Sequence, residues 1–206
     1  MKRRTFLSAV IIGSAGNIVI AKSKPANVTC SVDLPNHVLE YSLPEEVARQ
    51  MSARMADTHF DASEPFERGF RGIAGTMVDL GGSFFTGPSG TFTFDVLVIE
   101  RSAEYVGDIS TAEGLKEYVS WWLPTLRKLR SEREHFGLVT INGSEAVSRG
   151  LGTPQEILSF PLDQKMFVEF GLLIRWLRAG ANAPWVKKAE AMRDSIRASI
   201  RLRPKS

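Results

Sequence analysis

The chain has 206 residues, 43% of them apolar and 24% charged, with a formal net charge of +3. That length and mixture describe one globular domain with a real core and exclude a disordered or low-complexity polypeptide. Lys2, Arg3 and Arg4 carry the whole excess: without them 23 basic residues face 23 acidic ones, and a neutral remainder lacks the basic surplus with which nucleic-acid binders neutralise phosphate.

Residues 1–21 read as a cleavable export signal. Lys2-Arg3-Arg4 is a positive n-region, Phe6 to Ala21 is an apolar stretch softened by glycine and serine, and Val19-Ile20-Ala21 offers a cleavage site before Lys22. The stretch is short and too rich in Gly and Ser for a transmembrane helix. Arg3-Arg4-Thr5-Phe6-Leu7 resembles the twin-arginine pattern, with Ser8 in place of the frequent Lys; an ordinary Sec signal is the alternative. Both routes lead to the periplasm or beyond, and no second apolar run reaches membrane length. Residues 22–206 are then expected to form a single domain. Cys30 is the only cysteine, so no intrachain disulfide is possible. It reads as a small buried residue, a free thiol or a lipidated residue, and Asn27-Val28-Thr29 before it does not favour lipidation.

Residues 28–33 and 37–43 alternate around Pro35-Asn36 as two short strands. Ser42-Leu43-Pro44-Glu45 reads as a capping box opening a helix over 43–56, with Val47, Met51 and Met55 on one stripe. Residues 57–71 have no period and are expected to be loop. Ile73 to Leu80 is a strand. Phe84-Phe85 and Thr91 to Glu100 flank Thr86-Gly87-Pro88-Ser89-Gly90 as a hairpin, with Phe92, Phe94, Val96 and Val98 on one face. Ser110-Thr111-Ala112-Glu113 is a second capping box. Leu115, Val119, Trp122, Leu126 and Leu129 line the helix behind it, which Pro124 kinks or splits. Asn142-Gly143 joins 138–141 to 145–149 through a type I′ turn. Residues 157–162 and 166–176 pair around Asp163-Gln164, strand being preferred to helix for the second. Pro184 opens a last helix with Trp185, Ala189, Met192, Ile196 and Ile200 on one side. The order predicts an α+β fold, a mostly antiparallel sheet covered by helices.

The inventory of reactive groups is thin. Asp57, His59 and Asp61, with Glu64 nearby, form the one local cluster that could hold a divalent ion, but nothing completes the sphere, and no metal, cofactor or catalytic set is assigned. His37 sits in a strand, and His135 among Glu132, Arg133 and Glu134. No G-x-S-x-G is present, and Gly81-Gly82 and Gly87 to Gly90 are turn residues without the helix or lysine of a phosphate loop. Trp121 and Trp122 point nearly 100° apart on a helix: Trp122 falls on the core stripe, and Trp121 is half-exposed, an anchor for a partner or a core-rim residue. Residues 187–206 carry seven basic residues against Glu190 and Asp194. This is a solvated helix face with a frayed tail, or a patch in which Arg193, Arg197 and Arg201 meet an acidic partner.

The second half resembles a family of periplasmic immunity-type proteins of type VI secretion with a PsbP-like α/β/α sandwich. The features are Asp108-Ile109-Ser110 before a helix, the hairpin at Ile141-Asn142-Gly143, the strand end Phe160-Pro161-Leu162-Asp163, and a final helix running into Ser195-Ile196-Arg197-Ala198-Ser199-Ile200. The resemblance implies a non-enzymatic protein that binds and neutralises a secreted effector, with no catalytic residues to carry over. Two alternatives belong to other classes. One is a small-molecule or lipid carrier with a pocket beneath Phe84, Phe85, Phe92 and Phe94, and the other is a metal-dependent enzyme using Asp57, His59 and Asp61.

Overall fold

The computed structural model describes residues 27–51, 66, 69–81, 89–123, 135–176 and 183–205. The expected signal segment, the Asp57–Asp61 cluster, Met55, Phe84-Phe85, and Leu126 and Leu129 lie outside them.

Two antiparallel sheets and three helices are present among the described residues. β1 (Asn27–Asp33) and β2 (His37–Pro44) form a hairpin, followed by a single-turn helix α1 (Glu45–Ala48). β3 (Phe70–Gly81) and β4 (Ser89–Glu100) pair along their length, with a bulge between Gly72 and Ala74. Helix α2 (Ala112–Trp122) precedes β5 (Gly137–Ile141), β6 (Ser144–Arg149), β7 (Gln155–Pro161) and β8 (Met166–Trp176). Helix α3 (Pro184–Ser199) leads into β9 (Arg201–Pro204). The large sheet has the order β3-β4-β8-β7-β6-β5 and the small one β1-β2-β9.

Period-two alternation in β4 and β8 assigns the layers. Phe92, Phe94, Val96 and Val98 of β4 and Val168, Phe170, Leu172 and Ile174 of β8 point into the main core. There they meet Leu39, Tyr41 and Leu43 of β2 and Trp185, Val186, Ala189, Met192 and Ile196 of α3. Tyr41 packs against Phe94 and Phe170 with ring centroids 5.6 and 5.7 Å away. The small sheet and α3 therefore make one layer over this face. On the other face Ile99, Val147 and Phe167 meet Leu115, Tyr118 and Val119 of α2 in a smaller core. The fold is α+β and mostly antiparallel, as its pattern predicts, but a second sheet supplies much of the cover that helices alone were expected to give.

Several local expectations change for identifiable reasons. Ser42 does not cap a helix. It lies within β2, where its N–H donates to Ser199 Oγ at 2.8 Å, and the following helix ends at Ala48 without a side-chain cap. The second cap moves by one residue: Thr111, not Ser110, accepts from the N–H of Gly114 at 3.2 Å. Ser110 is already engaged, its N–H and Oγ both donating to Asp108. A side chain at Gly114 would meet the Asp108 carbonyl oxygen at 1.9 Å, so the turn into α2 needs glycine there. Helix α2 closes at Leu123, one residue before Pro124. The basic tail is not frayed: β9 pairs with β2, and Arg203 and Lys205 reach Glu40 and Asp33. Residues 166–176 are strand, and Asn142 and Gly143 have the positive φ of 49° and 86° that a type I′ turn requires.

Candidate functional site

Helix α2 and the loop before it build an aromatic surface. Tyr118, Trp121 and Trp122 stand at i, i+3 and i+4, the spacing that brings helical side chains together. Tyr118 is buried, and its ring stands edge-on to Phe167 of β8 at 5.9 Å. Its hydroxyl accepts the Ser102 N–H at 3.0 Å, and burial holds its phenol above the ordinary tyrosine range. Trp121 and Trp122 stack on this ring at 6.0 and 6.1 Å, Trp122 within 5° of parallel. Tyr105, from the loop, closes the group at 5.0 Å from Tyr118 and 5.3 Å from Trp121. Trp121 and Trp122 remain 39% and 43% exposed, and the neighbouring Val106 is 98% exposed. Trp122, expected on the core stripe, is thus a surface residue: α2 rotates so that Leu115, Tyr118 and Val119 form the buried face.

Arg101 lies behind this surface. Its backbone N–H donates to the Lys165 carbonyl at 2.7 Å, while its Nε and Nη1 are buried with no hydrogen-bond partner.

The four residues singled out as a possible interface are not brought together. Arg193 is only 5% exposed, and its Nη1 donates to the carbonyls of Gly152 and Thr153. Arg193 and Arg197 both reach Glu156, which is fully buried on β7. The Arg197 Nη1 lies 3.1 and 3.0 Å from the two carboxylate oxygens, and the Gly152 N–H also donates to the group. This network clamps α3 to the 150–154 turn and β7, so these two arginines serve the fold. Arg201 is exposed on the rim of a shallow polar hollow of about 250 Å³ shared with Thr29, Glu40, Tyr41, Ser42 and Ser199. Trp121 belongs to the aromatic surface on the other layer. That surface was only half legible from tandem tryptophan, because Tyr105 and Val106 sit on a loop without periodicity.

A second polar group occupies the large sheet. Glu169 pairs with Arg149 and accepts from Ser159 Oγ at 3.2 Å, and Asp95 lies across β4 from Gly171. Burial, followed by the charge of Glu169, holds the Asp95 carboxyl above its ordinary range. His37 is half-buried, its Nδ1 unpartnered, and burial keeps its pKa below the usual value despite Asp163. No group of three or more His, Cys, Asp or Glu among the described residues is placed to hold a metal ion, and no described helix is long and apolar enough to cross a membrane. Compared with protein-family models, curated proteins and solved structures, the chain matches none.

Proposed function

We propose that the chain is an exported binding protein whose partner is another protein, held at the surface formed by Tyr105, Val106, Trp121 and Trp122. The observation that carries this reading is the aromatic stack itself. Two tryptophans stack on a ring anchored to the sheet, beside the exposed Val106 of the preceding loop, so a partner would meet large aromatic area already fixed in place. Such preorganisation lowers the ordering cost of association, and Trp and Tyr in this setting are the usual carriers of interface energy. In its most specific form the proposal is an immunity-type factor that neutralises a secreted effector, built on a PsbP-like sandwich and acting in the periplasm without catalysis. The export-type leader, the neutral remainder and the resemblance of the second half support it.

The test is affinity isolation from the periplasmic fraction of the producing cell with the native chain and with Trp121→Ala. A stable 1:1 complex with one protein is expected, lost or weakened about thirtyfold or more in the variant, in line with about 2 kcal/mol or more for an aromatic anchor. Recovery of no protein partner, or an equal yield with Trp121→Ala, contradicts the proposal.

A further inference from the structure

The small sheet has two edges, and they are treated differently. At one end β9 carries Arg201, Arg203 and Pro204, the charges and proline that blunt an edge against further pairing. The outer edge of the large sheet at β3 is broken by a bulge, and β5 at its other end has only five residues. β1 has no bulge or proline, and its one charge, Asp33, stands at its last position. Its seven residues, Asn27-Val28-Thr29-Cys30-Ser31-Val32-Asp33, contain no lysine, arginine, proline or glycine and run without a bulge against β2.

The direction of the backbone groups on β1 follows from β2. The Ser42 N–H and carbonyl both engage Ser199 Oγ, on the side of β2 away from β1. Backbone groups alternate along a strand, so those of Tyr41 face β1, and Tyr41 with its register partner Cys30 forms a hydrogen-bonded pair. The N–H and carbonyl groups of Thr29 and Ser31 therefore point to the free edge, and no described residue pairs with them there.

The sequence of β1 is self-complementary about Cys30. Two copies laid antiparallel around it place Val28 opposite Val32, Thr29 opposite Ser31 and Asn27 opposite Asp33, so no like charges meet. Val28, Cys30 and Val32 share the inner face, and Val28, 42% exposed in the single chain, gains an apolar neighbour. Thr29 and Ser31 face outward, where hydroxyl pairs stabilise antiparallel strands. We infer that β1 is a self-association edge: two copies of this chain join through it about a two-fold axis at Cys30, making one continuous six-stranded antiparallel sheet from the two small ones. The contact is isologous, as closed dimers require. It is independent of the aromatic surface, which lies with α2 on the other layer. In this register Cys30 and Cys30 of the partner subunit form the closer, non-hydrogen-bonded kind of pair, where a cross-strand disulfide is geometrically accessible.

The experiment compares the native protein with Ser31→Pro. Proline at an edge position whose N–H faces solvent leaves the fold intact but removes a donor that the dimer needs. Sedimentation equilibrium is expected to give twice the chain mass for the native protein and the single-chain mass for the variant, with unchanged circular dichroism, and a melting temperature that rises with protein concentration for the native chain only. Diamide, which takes two hydrogens from a thiol pair and is reduced to the hydrazine, is expected to link the native dimer through Cys30 and to leave the variant unlinked. A native protein that stays monomeric up to its solubility limit overturns the inference, whether the edge is then free, covered by the preceding segment of the chain or reserved for another protein's strand. So does a dimer that persists in Ser31→Pro.

Discussion

Asp95 and Gly171 face each other across β4 and β8, and a Cβ at Gly171 would stand 2.3 Å from Asp95 Oδ1. The missing side chain makes room for a carboxylate in the middle of β4, whose other charge, Glu100, stands at its exposed end. Its pKa is raised, first by burial and then by Glu169, against the opposing Gly171 N–H and Arg175. A raised folded-state value means the fold prefers the protonated acid. The stability this group contributes is full below the unfolded carboxylate value and is lost as the pH rises through the folded one. Asp95→Asn, which keeps the shape and an acceptor for the Gly171 N–H, should therefore raise the melting temperature at neutral pH. The gain should fade in acid, and melting curves across the pH range check it; a loss of stability at neutral pH contradicts it. At Gly90 the constraint is space: an added Cβ would lie 2.2 Å from Trp185 and 2.4 Å from the Arg175 carbonyl oxygen. Gly90→Ala is expected to lower stability by about 1–3 kcal/mol, as overpacked cores do, measurable by chemical denaturation. Gly90, expected to be a turn residue, lies within β4, and neither glycine's constraint is marked in the sequence, since a strand glycine says nothing of which side chain or carbonyl lies over it.

At the scale of elements, α3 depends on the buried charge network beneath it. Glu156 is fully enclosed, and the Arg193 side chain nearly so, so removing the carboxylate takes the buried counter-ion from Arg193 and Arg197 and leaves them only the half-exposed Asp194. Glu156→Ala is expected to cost about 3–5 kcal/mol, whereas Lys187→Ala on the exposed side of the same helix should stay within about 0.5 kcal/mol; denaturant titrations distinguish the two. The helix itself was legible: Pro184 at its start and the stripe Trp185, Ala189, Met192 and Ile196 agree with the structure. Its arginines were not, because a basic face looks alike in sequence whether it meets water, a partner or a glutamate 41 residues upstream. The same holds for the capping sites. Ser42 and Ser110 satisfy the local pattern, but Ser199 and Asp108 compete for them, and a local rule cannot see a tertiary competitor.

For the whole molecule, alternation in β4, β7 and β8 gave the antiparallel α+β class and the face of the main core. The pairing of β9 with β2 and the second sheet as a covering layer were not legible, since a four-residue strand after a helix resembles a tail. The arrangement that results separates three tasks. The small sheet and α3 close the main core, α2 closes the smaller one, and the aromatic surface is left as an outgrowth of that smaller core. The central claim, that this surface receives another protein, is tested most directly by placing a photo-crosslinking amino acid at Val106 in the producing cell. Val106 is almost wholly exposed, so the replacement leaves the fold unchanged, and Glu190 on the exposed side of α3 serves as the control position. A single protein adduct at position 106 and none at 190 is the predicted result; no adduct at 106, or the same adduct at both positions, would contradict it.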